Sequence, residues 1–358
     1  MKILWVGVLT SSEAVKKIEL VSSAANHWQS QFIRGLNNNG ASTICLSYIP
    51  SRYWPLGDFR PKFDMLDLPK KFKTYPVSYY NIPLLREVSL GWSLIRAVKK
   101  YKIEFDLLIT YNPFKRHLML GKYAKKMLNK KWALIIADGS FAKDPDFSVF
   151  LSHGSYLTHK LANKYLMQGG TGTFKDVSNK CISDKIIIYT GSITNLTGIS
   201  EFALLFDKIG AKDIKLHIYG KGNSSILNEI VRRNSNVVLH GFVDQTILDK
   251  AMLDAWAFVN PRNSSEELKQ NTFPSKLLEY IAYGKPIIST PILSLTTEFK
   301  NLLIFYNQDD ILSLSNILRE IDSYSVHDLV LIQEKAKEFC LVNSWDAKTR
   351  EFLNNINI

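Results

Sequence analysis

The most constraining feature of the chain is a rhythm. Short apolar, β-rich runs alternate with stretches of helical spacing, and the alternation starts afresh near the middle. KILWVGVLT (2–10), STICLSYI (42–49), FDLLITYN (105–112), WALIIAD (132–138) and SVFLS (148–152) read as strands that carry no polar face. Strands of that kind are buried on both sides, as they are when helices cover a parallel sheet. Between them Trp28, Phe32, Ile33 and Leu36 share a helical face, and 84–102, 117–131 and 155–167 read as further helices. The excursion from 51 to about 82, interrupted by Pro55, Pro61, Pro69 and Pro76, reads as extended surface chain. A polar, Gly-rich stretch at 168–184 follows, and then the rhythm resumes. Strands are expected at 185–191, 214–220, 236–242, 256–261, 286–290 and 302–306. Helices are expected at 198–209, 224–233, 245–253, 275–284, 309–322, 326–340 and 345–356. The pattern predicts two Rossmann-like α/β domains with doubly wound parallel sheets, 1–170 and 171–340.

Composition narrows the class. The 358 residues are 46% hydrophobic and 22% charged, values of a globular protein with a sizeable core. No apolar run approaches the roughly 20 residues that span a bilayer. The apolar part of the N-terminus is too short for a secretory signal and reads as the first strand. Cys45, Cys181 and Cys340 lie far apart with no metal or disulfide spacing, which fits a reducing cytoplasm. The net charge of +12 is lopsided: residues 1–178 hold 26 Lys+Arg and 12 Asp+Glu, residues 179–358 hold 19 and 21. A polyanion is therefore expected against the N-terminal half: an anionic membrane, a lipid diphosphate or a nucleic acid. No nucleic-acid-binding module is recognisable, so that class is set aside. Basic residues in and beside 84–102 and 117–131, among them Arg86, Arg96, Lys99, Arg116 and Lys126, lie near Tyr53, Trp54, Phe59 and Trp92 in sequence. Together they read as a peripheral membrane face.

In open α/β sheets ligands sit beyond the carboxyl ends of strands, which singles out Thr10, Asn112, Asp138, Gly191, Gly220, Gly241 and Pro261. Between Tyr189 and Pro291 five segments carry a resemblance: YTG (189–191), IYGKG (218–222), LHGFV (239–243), VNPR (259–262) and NTFPSKLLEYIAYGKPIIST (271–290). In this order they resemble the C-terminal domain of GT-B glycosyltransferases, family 4 above all. The resemblance implies two Rossmann-like domains facing a cleft. It also implies a final helix, within 341–358, that crosses back to the first domain, and transfer without a bound metal or other cofactor. It suggests retention at the anomeric carbon, while Asn271 and Asp138 leave inversion open. It implies a nucleotide-sugar donor, UDP- or GDP-linked, in the C-terminal domain and a glycan acceptor in the N-terminal one. A lipid-diphosphate-linked acceptor would agree with the basic half.

Residue by residue, the resemblance sets Asn271, Thr272, Phe273, Pro274, Ser275 and Lys276 against the donor sugar and diphosphate. Glu279 falls where a carboxylate accepts the ribose hydroxyls, and Gly241 and Phe242 fall where the base is met. Ser275 is suited to cap the helix that starts at Lys276, through a hydroxyl that accepts a first-turn N–H, and a helix start there favours phosphate. Two positions depart from the family. Its first Glu is Asn271 here, and the basic pair after the first strand is Ser192 and Thr197 near Gly191. Lys276 is the natural replacement, with Lys221 and Arg262 as weaker ones.

In the N-terminal half Asp138, at a strand end, suits a general base or an acceptor-positioning group, and His27, Trp28 and Asn112 suit an acceptor platform. DPD at 144–146 has metal-motif spacing but reads as a turn. Two other readings remain open: a non-catalytic subunit of this fold, and an epimerase acting on a free sugar nucleotide.

Overall fold

A computed structural model of the chain describes residues 1–64, 67–137, 142–175, 184–262, 273–292 and 294–356. The chain forms two compact units, Met1–Gly170 with Trp345–Ile358, and Thr171–Ser344.

The first unit is a seven-stranded parallel sheet. Its strands are β1 (Lys2–Gly7), β2 (Ser42–Ser47), β3 (Lys73–Pro76), β4 (Leu107–Tyr111), β5 (Lys131–Ile136), β6 (Phe147–Phe150) and β7 (Lys164–Leu166). They lie in the order β3-β2-β1-β4-β5-β6-β7. The strands lack a polar face because both faces are buried. Ile3 and Trp5 of β1 enter one apolar cluster with Phe32, while Leu4 and Val6 enter another with Leu94 and Trp132. Helices α1 (Ser12–Lys17), α2 (Ser23–Asn38), α3 (Arg86–Lys100), α4 (Lys115–Leu128) and α5 (His153–Thr158) join them.

Two expectations change. The excursion at 51–82 contains β3, which adds to the sheet beside β2; an edge strand tolerates the terminal Pro76. The helix expected over 155–167 stops at Thr158. There the Thr158 hydroxyl turns back to the carbonyls of Gly154 and Ser155, and KYL continues as β7 against β6.

The second unit is a six-stranded parallel sheet of β8 (Lys185–Thr190), β9 (Ile214–Tyr219), β10 (Val237–Gly241), β11 (Ala257–Asn260), β12 (Ile287–Ser289) and β13 (Ile304–Phe305), ordered β10-β9-β8-β11-β12-β13. Its helices are α6 (Ile199–Ile209), α7 (Ser225–Arg233), α8 (Gln245–Leu253), α9 (Lys276–Ile281), α10 (Thr297–Lys300), α11 (Ile311–Asp322) and α12 (Val326–Val342). Its central strand splits as β1 does: Ile187 and Tyr189 pack with Phe202, and Ile188 packs with Phe258 and Tyr280. Strand order reverses between β1 and β4 in one sheet and between β8 and β11 in the other. A doubly wound sheet offers its ligand crevice outside the carboxyl ends at such a point.

Helix α13 (Trp345–Asn355) belongs to the first unit. The return begins at Trp345, after α12 has run to Val342. Trp345 meets Trp28 edge-on at 5.5 Å, and Phe352 meets Phe32 at 5.3 Å.

Candidate functional site

At the switch point of the second sheet, β8 ends in Thr190 and Gly191, and β11 ends in Asn260, Pro261 and Arg262. Helix α9 is fixed over these ends by Tyr280. The buried Tyr280 ring stacks on Phe258 of β11 at 4.6 Å and an interplanar angle of 4°. Its hydroxyl accepts the Thr190 backbone N–H at 2.8 Å and lies 3.3 Å from the Thr190 carbonyl, to which it donates. One side chain thus satisfies the last backbone groups of β8 and sets the position of Lys276 and Glu279.

The expected cap is not made. Ser275 is already helical (φ −56°, ψ −22°) and makes no side-chain capping bond, whereas a cap requires an extended residue. The turn starts earlier instead, with the Pro274 carbonyl accepting Leu277 N–H at 3.0 Å and that of Ser275 accepting Leu278 N–H at 3.2 Å. Pro274 is buried, and Phe273 packs edge-on against Phe299 at 5.5 Å. Asn271 and Thr272 lie outside the described residues, as does Asp138.

A cation and a carboxylate pair on α9, and a second cation stands at the end of β11. Lys276 Nζ and Glu279 Oε2 are 2.8 Å apart, with both side chains 36% exposed. At that exposure the pair adds little to stability, and both groups can exchange each other for a ligand. Arg262 differs. Its backbone N–H donates to Thr290 Oγ1 at 2.9 Å, and its carbonyl accepts from the same hydroxyl at 3.1 Å. Burial pushes its guanidinium below the usual range, and the neighbouring Tyr189 and Tyr280 hydroxyls act in the opposite sense. Among the described residues it has no carboxylate partner. The backbone of Arg262, one of the weaker replacements by sequence, is held at the end of β11 by the Thr290 hydroxyl.

The glycine ends are structural as well as open. A Cβ on Gly220 would lie 1.7 Å from the Gly191 carbonyl oxygen, and φ there is +152°. Gly191 N–H donates to the Tyr219 carbonyl at 2.9 Å, and Gly220 N–H to that of Gly241 at 2.8 Å, so the strand ends are laced together. Ser192 is exposed, and its carbonyl accepts the Tyr189 hydroxyl at 2.7 Å. Thr197 closes a turn through its hydroxyl to the Thr194 carbonyl at 2.8 Å. Phe242 is 55% exposed, with Lys221 Nζ 4.6 Å above its ring.

The first unit corrects three expectations. Trp28 is 4% exposed and stacks on Phe32 at 5.0 Å, so it is core and not an open platform; only His27 beside it reaches the surface. Asn112 is buried with φ +66°. Its Oδ1 accepts Ala137 N–H at 2.9 Å and its carbonyl takes His117 Nδ1–H at 2.9 Å, so it joins the ends of β4 and β5. Arg116 is 9% exposed and does not contribute to a basic surface. Its Nε donates to the Tyr48 hydroxyl at 2.9 Å, and its guanidinium pairs with Glu87. Tyr48 in turn sits 3.0 Å from His117 Nε2. Sequence reasoning missed this buried relay because its members are far apart in the chain, with Tyr48 after β2, Glu87 on α3, and Arg116 and His117 on α4. Asp144 and Asp146 of the DPD turn pair with Lys122 and Lys125.

The sequence model of the family "Glycosyl transferases group 1" matches residues 184–320. Solved structures align over nearly all of both chains. The apo lipopolysaccharide outer core galactosyltransferase WaaB is 15% identical, covers 99% of each chain and has a TM-score of 0.66. Sucrose-phosphate synthase from Thermosynechococcus elongatus is 14% identical, with 99% and 98% covered and a TM-score of 0.67. The chain has the GT-B fold, and the stretch that matches the family model lies within its second unit. A further GT-B structure, Anabaena Alr3699/HepE in complex with UDP and glucose, is 12% identical, with 99% of each chain covered and a TM-score of 0.65. Comparison with curated proteins finds no match. Among the described residues of this GT-B chain no helix is long and apolar enough to cross a membrane.

Proposed function

We propose that the chain is a glycosyltransferase that moves a sugar from a UDP- or GDP-linked donor to a glycan acceptor. The second unit holds the donor and the first unit receives the acceptor. The observation that carries this reading is the helix α9, pinned by Tyr280 to the end of β8 at the switch point with Lys276 beside Glu279, and the desolvated Arg262 at the neighbouring strand end. A departing nucleoside diphosphate gains negative charge in the transition state. Fixed cations aimed at it supply the stabilisation that transfer without a metal requires. Lys276 and Arg262 fill that role. Glu279, released from Lys276, accepts the ribose diol, and Phe242 meets the base. The HepE structure with UDP and glucose supports a nucleotide-sugar donor on this fold.

Transfer proceeds with retention, and the acceptor is lipid-linked at the cytoplasmic membrane face, in keeping with the positive excess of residues 1–178. Incubation with UDP- and GDP-sugars and lipid-linked glycan acceptors tests the reading through release of UDP or GDP. Release with one donor class is expected, and none with any donor sinks it. The lack of a cation at Ser192 and Thr197 favours one second reading, a donor-binding subunit without turnover; nucleotide binding with no release for any acceptor would select it.

A further inference from the structure

Away from the donor site, segments 51–60 and 79–92 of the first unit are bound into one piece that presents apolar side chains to solvent. The fully buried Asn81 holds it together. Its amide donates to the carbonyls of Arg52 and Asp58. Its backbone N–H reaches Phe59 O at 2.8 Å, and its carbonyl accepts Trp54 N–H at 3.1 Å. Arg86 donates to the Ser51 carbonyl at 3.2 Å and lies 3.9 Å over the Tyr53 ring. Trp54 meets Phe59 edge-on at 6.1 Å, Phe59 meets Tyr80 at 5.6 Å, and Arg60 lies 5.5 Å over Tyr80.

On this base Leu84 is 95% exposed, Leu56 84% and Trp92 57%. Leu84 has φ +66°, a conformation a leucine keeps only where its surroundings impose it. Along the outer face of α3, Leu85, Val88 and Trp92 are exposed at helical spacing, and the same face continues as Arg96 and Lys99. The surface is therefore apolar with Arg60 at its rings, and basic where α3 continues as Arg96 and Lys99. Between residues 51 and 102 there are 11 Lys+Arg against four Asp+Glu, and one of those acids, Glu87, is taken by Arg116. Exposed leucines and a tryptophan beside the joined Trp54, Phe59 and Tyr80 rings are costly in water, and a basic margin selects an anionic partner.

We propose that this platform inserts into an anionic lipid surface. Leu56, Leu84, Leu85 and Trp92 enter below the headgroups, and Arg60, Arg96 and Lys99 meet the lipid phosphates. The inference rests on the reading of the chain as a transferase with a lipid-linked acceptor, and it adds a mode of attachment: apolar insertion in addition to charge. Insertion, unlike charge attraction, survives salt.

The test is flotation of the full chain with vesicles of phosphatidylcholine alone or mixed with phosphatidylglycerol, at low and raised salt. The wild type is expected to float with the mixed vesicles and to remain partly bound at raised salt. Leu84→Ser with Leu85→Ser, at exposed positions that leave the melting temperature unchanged, is expected to partition about tenfold less. Trp92→Phe is expected to lose part of the fluorescence quenching by lipids brominated in the acyl chain. Flotation of the double variant equal to wild type, or unchanged quenching in Trp92→Phe, overturns the proposal. So does a wild type that ignores vesicles but forms a dimer the double variant breaks, since the occupant is then a second copy of the chain. UDP and GDP titrations on the same samples keep the outcomes apart, because nucleotide binding reports the second unit and flotation the first.

Discussion

The Tyr280 hydroxyl accepts the Thr190 backbone N–H at 2.8 Å, so the helix that carries Lys276 and Glu279 is pinned to the end of the central strand of its sheet. Tyr280→Phe keeps the stacked ring but leaves a buried N–H with no partner, at a cost of about 1–3 kcal/mol. Urea denaturation is expected to show that loss. UDP or GDP affinity is expected to fall with it, because α9 is no longer held in register. Unchanged affinity would separate Tyr280 from the site.

Arg262 is expected to oppose stability and serve binding. Arg262→Met removes a desolvated charge without a described carboxylate partner, and replacing such a charge with an apolar side chain of similar size is neutral or stabilising. The expected result is a melting temperature equal to or above wild type, with affinity for a nucleoside diphosphate reduced more than affinity for the nucleoside. A lowered melting temperature with full diphosphate affinity would show a structural residue instead.

Gly220→Ala is expected to be severe. The new methyl would overlap the Gly191 carbonyl, and φ of +152° strains any L side chain. A loss of about 3 kcal/mol or more is expected in urea denaturation. Gly241→Ala, where a Cβ meets nothing within 4 Å at φ +67°, should cost less.

The first unit should weaken in acid through His117. Burial, reinforced by the adjacent Arg116, lowers its imidazole from 6.5 to about 3. The neutral ring donates from Nδ1 to the Asn112 carbonyl and accepts the Tyr48 hydroxyl at Nε2. Because the folded value lies below the unfolded one, its contribution is complete above about pH 6.5 and drains away as pH falls toward 3. His117→Gln is expected to lose stability at neutral pH and to show a shallower decline in urea midpoint across that range. A parallel decline would contradict the assignment.

Much of the architecture is legible in the sequence because burying both faces of a parallel strand removes its polar alternation, as Ile187, Ile188 and Tyr189 show. β3 escapes notice because KTYP is a short edge strand among prolines, and β7 because KYL follows a helix without a break in polarity. The donor site is legible as a string of motifs, but its mechanics are not. Tyr280 reads as one apolar residue of a helical face, and only the fold brings its hydroxyl to Thr190, 90 positions away. Trp28 misleads for the opposite reason: a tryptophan near a strand end looks like a ligand platform until Phe32 and Trp345 close over it.

The central claim is that the start of α9 binds a nucleoside diphosphate, and calorimetric titration of UDP and GDP into wild type, Lys276→Ala and Glu279→Ala tests it most directly. The account predicts that wild type binds one of the two and that each variant binds it about tenfold or more weakly at unchanged melting temperature. Wild-type affinity in both variants, or no binding of either nucleotide by wild type, would contradict it.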